Sequence, residues 1–320
     1  MKKINIVNIV TLSFWISALV SCSNDSIPDT AASLTTTAIT VGKAESLNDL
    51  AVHYANVYVN YLASIKNYDP KDSTYTDPQQ DTLTLKIDGA TISIAKKDRN
   101  KYPHNISIDF AASGVTLRRG NILKGKIDIV EDGDMSIANS SQTFYFSNLF
   151  INGNAIKGID KVTYMGLNAD SKPYWKISVN DTIANAEGST LTWNSERMRA
   201  RINQGTDKND DFESSLDSIR YDNKDSGDNV DNWPSLMYWV NIYSVSGTSN
   251  GVNEKGEAYS MSIDEANPLI IGGGFPFFTK GKGIITSDND TEVIDYGDGT
   301  KDSEVTSTLY GVSIDFSLNK

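Results

Sequence analysis

Thr82-Leu83-Thr84-Leu85-Lys86-Ile87-Asp88-Gly89-Ala90-Thr91-Ile92-Ser93-Ile94 decides the fold. Apolar residues recur at every second position on both sides of Asp88-Gly89, the period of a half-buried strand. Asp-Gly between two such runs signals a two-residue type I′ hairpin turn. That turn pairs Ile87 with Ala90, Leu85 with Ile92 and Leu83 with Ile94. All three pairs fall on one face, so turn chemistry and hydrophobic pattern specify the same register.

The same grammar extends through most of the chain. Strands are predicted near Ile106–Phe110, Gly125–Val130, Thr143–Ile151, Ala155–Met165, Tyr174–Val179, Ser189–Arg201, Leu236–Ser246, Ala258–Ile263, Gly283–Ile285, Glu292–Tyr296 and Val305–Leu318. Turns are expected at Asp132-Gly133, Asn152-Gly153, Asn250-Gly251, Lys255-Gly256 and Asp298-Gly299. Many short strands in succession without intervening helices specify antiparallel meanders. A pattern occurs twice: Ile108-Asp109-Phe110, fourteen residues, then Gly125, and Ile294-Asp295-Tyr296, fourteen residues, then Gly311. The fold class is therefore mainly β: a curved antiparallel sheet or two-layer β-body with internal duplication, plus one N-terminal amphipathic helix.

That helix is predicted over Ser46–Lys66. Ser46 sits at the cap position, and Leu47, Leu50, Tyr54, Val57, Tyr61 and Leu62 recur at steps of three and four. At roughly 1.5–3 kcal/mol per buried large side chain, this stripe must dock on the body. Ahead of it, residues 22–43 are rich in Ser, Thr and Ala and read as a flexible tether. Residues 1–21 read as a lipoprotein signal peptide: Lys2 and Lys3, then the apolar run Ile4–Leu19, then Ser21 before Cys22. Cys22 is the only cysteine, and its place directly after the apolar run makes it the expected lipidation site. The remainder, 44–320, reads as a single β-rich domain. Asn203–Asn232 is an acidic excursion within it, read as a surface insertion.

The chain carries 41 acidic and 29 basic residues, a formal charge of −12. Such a surface repels nucleic acid. The expected partners are the membrane, through the N-terminal lipid, and a polysaccharide or envelope protein. The expected location is the outer membrane. A single Cys excludes an internal disulfide, and no cofactor is expected.

Ile108-Asp109-Phe110, Gly125-Lys126-Ile127-Asp128-Ile129, Phe150-Ile151-Asn152-Gly153, Leu191-Thr192-Trp193-Asn194, Pro268-Leu269-Ile270 and Ile294-Asp295-Tyr296-Gly297-Asp298-Gly299 follow in an order that resembles a family of uncharacterised lipoproteins common in Bacteroidota. The resemblance runs from about Ile106 to the C-terminus and implies an envelope-anchored β-protein. The family often places a Cys in each Gly-rich loop, where this chain has Gly114-Val115 and Lys301. It carries no established activity and implies no catalytic residue.

Catalytic types are sparse. The two histidines, His53 and His104, sit in no nucleophile-elbow context, and no phosphate-binding loop follows a strand. Asp222–Asp228 fails the EF-hand pattern because Lys224 stands where an oxygen ligand is needed. Arg197, Arg199 and Arg201 alternate with Met198, Ala200 and Ile202, and a regular pleat puts the three Arg and Trp193 on one face. Guanidinium forks and an aromatic ring make a platform for an anionic glycan, with Trp233 as a further exposed aromatic. The opposing account pairs these Arg with the nearby acidic run Asp210-Asp211-Phe212-Glu213. The expectation is a lipid-anchored binding or scaffolding module. The alternatives are a glycan-processing hydrolase built on paired carboxylates and a structural coat component assembling through strand edges.

Overall fold

The computed structural model describes residues 27–66, 82–87, 89–95, 101–117, 120–203, 241–272, 275–288 and 290–318. Among the described residues one helix, α1 (Ile27–Lys66), precedes sixteen strands. These are β1 (Thr82–Ile87), β2 (Ala90–Ala95), β3 (His104–Asp109), β4 (Val115–Thr116), β5 (Ile122–Glu131), β6 (Ser141–Ile151), β7 (Asn154–Leu167) and β8 (Pro173–Ala184). They continue as β9 (Thr190–Asn203), β10 (Ile242–Val252), β11 (Ala258–Ile263), β12 (Leu269–Gly272), β13 (Phe275–Ser287), β14 (Asp290–Asp298), β15 (Glu304–Leu309) and β16 (Val312–Ser317). All belong to one antiparallel sheet that follows chain order, except that β4 pairs only with β5 and β12 lies beside β10 and β13.

The opening hairpin has the register its sequence specifies. Ile87 faces Ala90, Leu85 faces Ile92 and Leu83 faces Ile94, around Gly89 at φ +86°. Burial alternates along the strands, as in β11, where Tyr259, Met261 and Ile263 point inward. The bend between β5 and β6 needs a glycine. Gly125 has φ +88°, and a Cβ there would lie 1.8 Å from the carbonyl oxygen of Asn148, where the register shifts as in a bulge.

The sheet curls around α1. The helix touches β3 and β6 on one side and β13, β14 and β15 on the other, with β9 between. Most described side chains from Thr37 to Leu62 are therefore buried, while Ile39, Lys43, Leu47, Tyr54 and Val57 are half-buried. This moves the helix start. It begins at Ile27, inside the stretch read as a tether, and Ser46 lies in its interior with Oγ bonded to the Gly42 carbonyl at 2.9 Å. Ala38, Val41, Gly42 and Ala44 are small enough to pass between the walls. A Cβ on Gly42 would meet Leu318 Cδ2 at 2.9 Å.

Three further expectations change. Val305–Leu318 is a hairpin rather than one strand, turning at Tyr310-Gly311 with φ of 50° and 79°. Asn250-Gly251 lies inside β10, and the chain turns three residues later, where Gly256 N–H bonds to Asn253 O. The repeated motif recurs as a local ladder but in opposite chain order. Asp109 faces Lys126 and Asp295 faces Lys282, and each Asp caps the backbone two residues on, at 2.7 and 3.0 Å. The partner strand follows the first motif as β5 but precedes the second as β13, while Gly311 is a turn residue. Antiparallel pairing reads the same from either strand, so one ladder serves both orders.

The excursion after β9 leaves and returns at one place, since Asn203 and Ile242 are paired neighbours. Residues 204–240 lie outside the described residues. No helix among the described residues is long and apolar enough to cross a membrane.

Candidate functional site

The two faces of β9 are assigned opposite to the sequence expectation. Trp193, Arg197 and Arg199 do share one face, but it is the inner one, and all three are buried. Met198 and Ile202, which alternate with them, are exposed outside. The reason is α1, which carries acids along this wall. Arg197 Nη2 binds Glu45 Oε1 and approaches Ser249 Oγ at 3.3 Å, and Arg199 Nη2 binds Asp49 Oδ1 at 2.7 Å. The Arg199 guanidinium also lies 5.9 Å from the centre of the Tyr243 ring. Arg201 is half-buried at the end of the row, opposite Tyr243. The anionic-glycan platform therefore loses its two central arginines to the helix. Trp233, the acidic run near Asp210 and the lipidation candidate Cys22 lie outside the described residues.

Next to these ion pairs lies a carboxylate pair. Asn48 Nδ2 donates to Asp160 Oδ2 at 2.5 Å and to Asp181 Oδ2 at 2.9 Å. Relative exposure is 0 % for Asp160 and 2 % for Asp181, and the Oδ1 atom of each has no hydrogen-bond partner among the described residues. Burial, and then the charge of Asp181, push the Asp160 carboxyl well above its ordinary range, and burial pushes Asp181 up to about 7. Two acids face one another, as a hydrolase requires, yet both are sealed beneath the helix. What the arrangement can do is hold protons and fix the helix in register.

His104 Nδ1 lies 3.0 Å from Glu131 Oε2, and Gln142 holds the other oxygen at 2.7 Å. His53 is buried on α1. Among the described residues no three His, Cys, Asp or Glu side chains converge as a metal site.

An accessible site lies on the outer face. A groove of about 1770 Å³ opens over the second half of the sheet, from β9 to β16. Its apolar floor includes Met198, Ile202 and Ile284, and Ser246, Thr248 and Ser262 supply hydroxyls. Its rim is acidic, with Asp264, Glu265, Asp295, Asp298, Glu304 and Asp315 against Lys280 and Lys282. Lys282 is already held by Asp295 at 2.8 Å. Hydrogen bonds from Thr300 keep the exposed Asp298 carboxyl below its ordinary value. The groove residues come from separate strands and loops over more than a hundred positions. Only the register of the whole sheet brings them together, and no local motif marks them.

No protein-family model matches the chain, and no curated protein or solved structure gives a significant match.

Proposed function

We propose that this chain is a lipid-anchored envelope protein that binds an extended polysaccharide along the outer face of its sheet. The observation that carries this reading is the outer groove, with an apolar floor, hydroxyl groups and an acidic rim. Sugar rings present apolar C–H faces edged by hydroxyls, so a floor of Met198, Ile202 and Ile284 beside Ser246, Thr248 and Ser262 complements both. The acidic rim disfavours polyanions and favours neutral or amino-bearing chains. The anchor rests on the sequence alone: the apolar leader, Ser21-Cys22, and the resemblance to Bacteroidota lipoproteins.

The test is a glycan array of neutral, amino-bearing and acidic chains, probed with residues 23–320. A parallel sample carries Thr248→Trp and Ser262→Trp, which fill the groove from exposed positions. Binding by the parent and its loss in the filled variant support the reading. Equal binding by both removes the groove, and no binding by the folded parent removes the polysaccharide.

A second reading, assembly through strand edges, is favoured by β16. It ends the sheet, and its Val312 and Ile314 are exposed. A concentration-dependent rise in sedimentation coefficient that Ile314→Lys abolishes is its expected signature.

A further inference from the structure

Outside the groove, one line across the sheet departs from what exposed strands contain. Tyr145, Ile159, Asn180, Asn194, Asn250 and Ser260 are direct cross-strand partners in sequence, on β6 through β11. All lie on the outer face. Tyr145 is 38 % and Ile159 47 % exposed, Asn180, Asn250 and Ser260 are exposed, and Asn194 is half-buried.

Three asparagines side by side in the middle of long strands run against propensity. Asn is depleted from strands because its side chain competes for backbone hydrogen bonds. Departures from local preference without a packing gain concentrate at functional sites. No hydrogen bond to a described residue compensates here at any of the three amides. Each offers two donors and an acceptor to whatever lies on the sheet. Strand spacing repeats that offer about every 4.8 Å.

We propose that this row is a second binding surface, continuous with the groove, for a linear uncharged polysaccharide lying across the strands. The inference rests on the groove reading and narrows its ligand. Continuity comes from β10 and β11: Thr248 and Ser262 line the groove, and Asn250 and Ser260 lie two residues along on the same face. Charge supplies the class. The six positions carry no ionised side chain, on a chain with 41 acids, so hydroxyls complement the row and polyanions do not. The repeat supplies the shape, because one amide per strand suits one sugar unit per strand in an extended chain. The Tyr145 ring, beside Ile159, provides an apolar stacking surface at the far end.

The test uses residues 23–320, which include every described residue, and neutral linear gluco-, manno- and chito-oligosaccharides of two to six units in titration calorimetry. The row variant is Asn180→Thr, Asn194→Thr and Asn250→Thr. Thr is favoured in strands, so the fold is retained, while the planar amides are lost. The expected result is affinity that rises with chain length in at least one series and falls at least tenfold in the row variant. Tyr145→Ser weakens only the longer chains. Binding that the groove-filling variant abolishes and the row variant leaves intact overturns the row but keeps the groove. Binding of none of the series overturns the row, as does a dimer in light scattering that the row variant dissolves.

Discussion

Replacing Asp181 by Asn changes how stability depends on pH, and the size of the change follows from the site. In the folded chain burial holds the Asp181 carboxyl at about 7, against an ordinary 3.8. The fold therefore retains a proton that the unfolded chain gives up. Below about pH 4 both states are protonated and the site costs nothing. Between about pH 4 and 7 the unfolded chain ionises while the folded chain does not, so stability falls as pH rises. Above pH 7 the loss is complete. Three pH units at 1.36 kcal/mol each make it about 4 kcal/mol. Asp160 shifts in the same direction and shares Asn48, so the pair acts together. The amide introduced by Asp181→Asn keeps an oxygen for the Asn48 side chain and removes one charge. The variant should match the parent at pH 4 and exceed it by up to about 4 kcal/mol at pH 8. Urea unfolding of residues 23–320, followed by tryptophan fluorescence at four pH values, measures this. Buried Glu292, pushed to about 7 by its own burial, leaves a residual slope in both proteins. Parallel parent and variant curves from pH 4 to 8 would refute the proton-holding pair.

Other substitutions probe the remaining parts of the framework. Arg197→Met strands Glu45 in the interior, a loss of about 3–5 kcal/mol that thermal or urea unfolding will register and that adding Glu45→Leu should largely restore. Gly125→Ala forces a Cβ onto the Asn148 carbonyl at positive φ, and should destabilise by more than about 1 kcal/mol in the same assay. Cys22→Ser should move the protein from the membrane fraction to the soluble fraction and abolish incorporation of labelled palmitate.

The sheet was legible because strand periodicity and turn chemistry are local. Asp88-Gly89 and the alternation around it fix a register that needs no distant information. The faces of β9 were not legible. The Arg side of Arg-Met-Arg-Ala-Arg-Ile reads as exposed unless Glu45 and Asp49 are known to lie opposite, about 150 residues away. The helix start was hidden for a related reason. A helix buried over most of its surface shows no narrow apolar stripe at its start, and Ala38, Gly42 and Ala44 look like a linker until walls stand around them. Glycine and asparagine signals over-counted turns, because Gly251 packs against the Thr192 carbonyl within β10 instead of reversing the chain. The asparagine row was present in the sequence as three unrelated residues and became a line only once β8, β9 and β10 were in register.

The enclosed helix also fixes an order of events. It is synthesised before any strand, yet its walls include β3 near the start of the sheet and β15 near its end. Gly42 packs against Leu318, so an early residue waits for almost the last one. Contacts this distant in sequence form slowly and only after the whole chain is free. A chain made N-terminus first therefore cannot complete the wall around its helix until β15 and Leu318 have been made. By the same logic, trimming the last few residues opens the wall at Gly42 and leaves the first-made element without its cover.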